Sequence, residues 1–325
     1  MALNNELRVN EISGSSLKVG IALGSGAARG WAHVGVLNAL KKAGVEPNIV
    51  CGSSIGALVG AAYASGELDK FEAWVRRLTW RDVIRYMDVQ LSGGGFVEGE
   101  RLMEFARQYA ADIQIESFTK PFAAVATELT TGQEVWLQKG GVLEVVRASC
   151  ALPGLFAPVK NERGWLADGG LVNPVPVSLC RAMGADIVIA VNLNGDLVGK
   201  HFRNENIERS SGSLEAAEGD FLSRVGAAIS DGVRAKAADM VSGLMGTPES
   251  PGVFEVLSSA LNIMQDRVTR SRMAGDPPDI LLSPRLAHIR LMEFDRADVA
   301  IEAGEQAVRR MMPTLEDMLV SGRPR

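Results

Sequence analysis

Histidine and cysteine are scarce in this chain of 325 residues, and basic charge does not predominate. The three cysteines, Cys51, Cys150 and Cys180, are an odd set inside apolar runs. They exclude a disulfide framework and read as reduced, intracellular thiols. No ligand cluster joins them, so no metal site is expected. The net charge of −5 excludes a general nucleic-acid binder, which needs a basic footprint. The longest apolar runs, "IGALVGAAYA" and "ADIVIAVNL", fall far short of the ~20 residues of a membrane span. The start, "MALNNELRVNEISGSS", carries acidic residues and lacks the apolar core of a signal peptide. The expectation is a cytoplasmic protein able to touch the inner face of a membrane. Only His33, His201 and His288 are available to any chemistry that needs an imidazole.

What is present is a large apolar fraction, 46%, ample for a sizeable core. Charged residues make up 22%, which argues against wholesale disorder. From 18 to 194, short apolar strands alternate with helical patterns, as in a layered α/β fold with a mostly parallel sheet. Strands are expected at 18–24, 47–51, in the "PFAAVATELTTGQEVWLQ" pair, at "GWLAD" and at "DIVIAVNL". Helices are expected at 28–43, over "IGALVGAAYASG" and "DKFEAWVRRL", and over "VLEVVRASCA". "NPVPVSLCRAMG" reads as another, capped by Asn173 with Pro174 in its first position. "LSGGGFVEG" reads as a mobile loop. Residues 195–220 are polar and read as an insertion. Residues 221–325 read as a mainly helical part packed on the core, with helices near 221–244, 253–273 and 295–319 and a strand at "DILLS". The last helix is expected to bend near Pro313.

Two stretches carry chemistry. "CGSSIGALVG" fits G-x-S-x-G with Ser54 central, between a strand and a helix. A serine on that sharp turn has its hydroxyl pushed out of the sheet, and Gly52 and Gly56 are required because side chains there would clash. Cys51, next door, ends the strand and faces the core. The second stretch is "LGSGAARGWAH", 23–33. It is not a dinucleotide fingerprint, since Arg29 replaces the third glycine and no acid ends the next strand. It is not a P-loop either, since no Gly-Lys-Ser/Thr follows. Small residues at a helix start offer free N–H groups, which suits a transient oxyanion.

Ser54 needs a base. Asp168, in "WLADGGLVNP", ends a strand and can take the proton directly if that strand neighbours the nucleophile strand. An ordinary aspartate is a poor base, and partial burial would raise its pKa. The chain order Ser54, an Asp, then His288 also fits an α/β-hydrolase triad, so that reading stays open. His33 reads as structural and His201 as a surface residue. Leu155 and Phe156 in "PGLFAPV" suit either an acyl pocket or the core.

The ordered set "GSGAARG", "GSSIG" and "DGG" resembles the patatin-like phospholipases, bacterial RssA type. So do "RASCALPGLFAPV", "DGGLVNPVPVSL" and "RMAGDPPDILL". The resemblance implies a three-layer α/β/α fold, hydrolysis of lipid acyl esters without a cofactor, and a Ser54–Asp168 dyad without histidine. It implies an oxyanion loop of Ser25, Gly26, Ala27, Arg29 and Gly30. The family has three consecutive glycines where this chain has Ser25, Gly26 and Ala27, so a left-handed backbone there would be strained. The partners implied are a lipid or acyl ester and a transient membrane contact; a homo-oligomer is compatible with the pattern. A regulatory protein with a vestigial site is the reading from another class.

Overall fold

The computed structural model describes residues 17–79, 81–82, 113–153, 155–162, 164–197, 246–247, 250–251 and 253–321. The strands are β1 (Val19–Leu23), β2 (Ile49–Ser53), β3 (Phe122–Glu128), β4 (Glu134–Leu137), β5 (Val159–Asn161), β6 (Gly164–Asp168), β7 (Ile187–Val191), β8 (Gly246–Thr247), β9 (Ser250–Pro251) and β10 (Ile280–Leu282). The helices are α1 (Ala32–Lys42), α2 (Ile55–Ala64), α3 (Leu68–Val75), α4 (Val142–Ser149), α5 (Val177–Ala182), α6 (Val253–Gly275) and α7 (Ala297–Ser321). An eight-stranded sheet has the order β10-β7-β1-β2-β3-β6-β5, with β4 also on β3. Strands β10, β7, β1, β2 and β3 run parallel, whereas β4, β6 and β5 are antiparallel to their neighbours.

Strand alternation divides the core between the two sheet faces. Ile21, Leu23, Val50, Ile187 and Ile189 point into one cluster with buried residues of α1, α2, α3, α4 and α7. Ala22, Ile49, Cys51, Val188 and Ala190 point into the other, with Val177, Leu179 and Cys180 of α5. Strands buried on both faces carry no polar alternation, which is why they read as continuous apolar runs. The fold is the expected mostly parallel sheet with helices on both faces.

Local departures have physical reasons. The helix expected from 28 begins as a tight 3-10 turn, Ala27–Trp31, before α1. The helix after the Asp-Gly-Gly turn starts at Val177, not at Pro174. Pro176 disfavours helical geometry at Val175, and the Asn173 amide bonds Glu134 and Ser178 instead of capping. Helix α7 runs through Pro313. The glycine-rich stretch 91–99, the helix expected at 221–244 and His201 lie outside the described residues. So does the polar insertion beyond 197.

One piece of topology governs the site. On β3, residues 122–125 pair with β2, 124–127 with β4 and 126–128 with β6. Because β4 overlaps both of the others, β2 and β6 must share the opposite edge of β3. Ser53 ends β2 opposite Val125, and Asp168 ends β6 opposite Ala126. The two strands therefore run toward each other and meet end to end. A strand beside the nucleophile strand is the condition the sequence set for Asp168 to reach Ser54; Asp168 arrives instead on an antiparallel strand abutting its tip.

Candidate active site

Ser54 occupies φ 56°, ψ −127° between β2 and α2. A non-glycine residue there stores about 1–3 kcal/mol of strain. The turn is tight enough that a Cβ on Gly52 would lie 2.5 Å from the Ala57 backbone, and one on Gly56 would lie 2.1 Å from the Leu23 carbonyl oxygen. The Ser54 backbone N–H donates to Ser149 Oγ at 2.9 Å, and the Ser149 hydroxyl donates to the Val125 carbonyl at 2.6 Å. The Ser54 carbonyl accepts from Ala57 and Leu58, closing the first turn of α2. Its side chain is left out of the capping and donates to Asp168 Oδ2 at 2.5 Å.

Asp168 is fully buried. Its second carboxylate oxygen accepts from Gly170 N–H at 2.7 Å. Its own N–H donates to Ala151 O at 2.9 Å, and Thr127 Oγ1 donates to its carbonyl at 2.7 Å. Burial pushes the carboxyl up to about 6 from an ordinary 3.8, against the opposing hydrogen bonds from Ser54 and Gly170. Segment 149–151 thus braces both groups, holding Ser54 through Ser149 and Asp168 through Ala151. Cys150, between them, has its thiol pushed well up by burial and by the Asp168 charge, so it stays protonated. Burial does the same to Cys51.

The loop after β1 lies against this pair. The Gly24 N–H donates to Val191 O at 3.1 Å and the Ser25 N–H to Pro174 O at 2.8 Å, while Ser25 Oγ donates to Ser53 Oγ at 3.1 Å. The Ser25 N–H is therefore engaged elsewhere. Among the described residues, the N–H groups of Gly26 and Ala27 have no backbone acceptor. Ala27 has φ 47°, so the missing glycine does fall on a left-handed residue. Gly30 makes close packing possible, since a Cβ there would lie 2.2 Å from Ile55 Cγ1.

Arg29 is 1% exposed and has no carboxylate partner among the described residues. Its Nε donates to Gly26 O at 3.1 Å and one terminal nitrogen donates to Asn262 Oδ1 at 2.9 Å. The other is buried and unpartnered among the described residues. Burial lowers its pKa to about 10, so it remains charged at neutral pH. By gripping the Gly26 carbonyl, Arg29 turns the Ala27 N–H, across the same trans peptide, the opposite way. His33 Nε2 donates to the Gly24 carbonyl at 2.7 Å, and burial lowers its pKa to about 4. It is a neutral clamp on the loop. At the far end Trp31 is buried against Phe71, Trp74 and Phe294, and its Nε1 donates to Phe294 O.

His288 is exposed, and Arg296 donates to its carbonyl. Among the described residues its ring bonds neither Ser54 nor Asp168. Leu155 is buried and Phe156 half-buried. Sequence reasoning missed Ser149, Thr127 and Asn262. The first two are common residues whose role depends on strand pairing. The signal for Asn262 lay in the polar series 262, 265, 266 and 269, spaced for one face of a helix.

The patatin-like phospholipase model matches residues 21–181, which include Ser54, Asp168 and the whole loop. An uncharacterized NTE family protein of Mycobacterium tuberculosis is 32% identical and aligned over 93% of both chains. The chain belongs to the patatin-like phospholipase family. Within it, lysophospholipase NTE1 of Pyricularia oryzae is 27% identical over 92% of this chain, which spans only 19% of that longer protein. Among solved structures, VipD from Legionella pneumophila aligns with 92% of this chain and 67% of its own, at 14% identity and a TM-score of 0.43. The family match spans both the glycine-flanked serine and the Asp-Gly-Gly turn.

Proposed function

We propose that this protein hydrolyses acyl esters of lipids, lysophospholipids or phospholipids, with Ser54 as nucleophile and Asp168 as its base. The observation that carries the reading is the 2.5 Å contact between Ser54 Oγ and Asp168 Oδ2. Ser54 Oγ attacks the ester carbonyl as its proton passes to Asp168. The tetrahedral oxyanion is held by the N–H groups of Gly26 and Ala27, with the Arg29 charge nearby. Collapse releases the alcohol portion, which takes the proton from Asp168, and leaves an acyl-serine. Asp168 then deprotonates a water that attacks the acyl-serine, and returns that proton to Ser54 Oγ as the fatty acid leaves. A carboxyl near 6 is ionised at neutral pH and still more basic than an ordinary aspartate, which suits both half-reactions. The fungal relative's name, lysophospholipase, supports the substrate class.

The test is release of fatty acid from lysophosphatidylcholine, together with labelling by a fluorophosphonate. Ser54→Ala is expected to abolish both. Asp168→Asn is expected to lower hydrolysis by at least about a thousandfold, and His288→Ala to leave it near wild type. Loss of activity in His288→Ala with retention in Asp168→Asn would establish a histidine triad instead.

A further inference from the structure

Helix α6 is inverted. Asn262, Gln265, Asp266 and Thr269, at positions i, i+3, i+4 and i+7, share one face, and all four are buried. Through that face Asn262 accepts from Arg29 at 2.9 Å, and Gln265 accepts from Asn194 at 2.9 Å. The opposite face carries Val256 (50% exposed), Leu257 (54%), Ile263 (48%) and Met264 (55%), with exposed Ala260 among them. An ordinary surface helix buries its apolar side and wets its polar one. Here the polar side is turned inward, Asn262 onto Arg29 and Gln265 onto Asn194, so the apolar stripe is held outward.

The same stripe continues into Arg267 and Arg270, both exposed. From Val256 to Ser271 they are the only charged residues on the exposed face. Asp266 pairs with Arg270 at 2.8 Å from the buried side, and the arginine side chain stays 64% exposed. An apolar stripe followed by two exposed arginines, one of them ion-paired from the buried side, matches the acyl chains and phosphates of a lipid interface. Four half-exposed side chains are a small patch beside the ~800 Å² per partner of a stable protein interface, whereas a bilayer demands no matched area.

We propose that α6 docks this protein on a lipid bilayer, with Leu257, Ile263 and Met264 among the acyl chains and Arg267 and Arg270 at the phosphates. The proposal rests on the lipid-hydrolase reading, and it sets the 24–30 loop on the inner side of the docked helix through the Arg29–Asn262 contact. Among the described residues no helix is long and apolar enough to cross a membrane.

The test is sedimentation of the full chain, as Ser54→Ala to spare the lipid, with vesicles of phosphatidylcholine containing phosphatidylglycerol. Leu257→Asp combined with Met264→Asp is expected to weaken binding by at least about tenfold. Arg267→Glu is expected to weaken it severalfold on these vesicles and little on phosphatidylcholine alone. With Ser54 restored, the double variant should hydrolyse soluble p-nitrophenyl butyrate at the wild-type rate and lose hydrolysis of vesicle lipid. Unchanged vesicle binding by the double variant overturns the proposal. So does conversion of a dimer to a monomer in sedimentation velocity without loss of vesicle binding, which makes the stripe a contact between copies. If the chain hydrolyses no ester while binding depends on Leu257 and Met264, the hydrolase reading fails and docking stands. If hydrolysis is intact and binding ignores both residues, docking alone fails.

Discussion

Replacing Asp168 with asparagine should remove activity and strengthen the fold at the same time. The Asp168 carboxyl is raised by burial from 3.8 to about 6. A carboxyl raised in the folded state adds stability that is fully present below pH 3.8 and is lost as pH rises through about 6. At about 1.4 kcal/mol for each pH unit, that loss comes to about 3 kcal/mol at neutral pH. Asparagine does not titrate. Its Oδ1 can still accept from Gly170, and its Nδ2 can face Ser54 Oγ, so the local hydrogen bonds survive. Wild type alone would hide the effect, because His33 slopes the other way. Its pKa is lowered from 6.5 to about 4, so it destabilises the fold as pH falls below 6.5. The difference between variant and wild type cancels His33. Urea unfolding of both proteins, at intervals from pH 4 to 8, measures it. The stability gap should widen in favour of the variant by about 3 kcal/mol, mostly between pH 4 and 6.5. A gap that stays level with pH would refute the assignment of a buried, charged Asp168. So would a variant less stable than wild type at pH 8.

Other consequences follow from single contacts. In wild type, kcat/KM for a soluble ester should fall below about pH 6 with a slope of one proton, readable in a pH–rate profile. Ser149→Ala removes the acceptor for the Ser54 N–H and should cost about 1–3 kcal/mol in unfolding free energy, with a kcat loss exceeding any change in KM. Ala27→Gly relieves the left-handed alanine and should stabilise the protein by about 1 kcal/mol, seen as a small rise in thermal midpoint. His33→Gln keeps a donor for the Gly24 carbonyl without a proton to bind. Relative to wild type it should gain stability as pH falls from 6.5 to about 4, measured by the same urea series.

The strand, turn and helix at Ser54 were legible in the chain because they are local. An apolar strand, a serine between two glycines and a helical run lie within twenty residues, and the sterics of the turn need nothing remote. The strand before the 24–30 loop and the one ending at Asp168 were legible for the same reason, as was the alternation that defines the fold class. The meeting of Ser54 with Asp168 was not written locally. It follows from β2 and β6 taking successive stretches of one edge of β3, and pairing register is a property of the assembled sheet. The late start of α5 at Val177 depended on Pro176 next to it, a local rule outweighed in the reading by an attractive cap at Asn173. The bracing by Ser149 and Thr127, the strain at Ala27 and the inverted face of α6 were set by what packed against them. A hydrogen-bonding side chain declares its chemistry in the sequence, but its partner, and the dielectric in which the two meet, exist only once distant segments close around it.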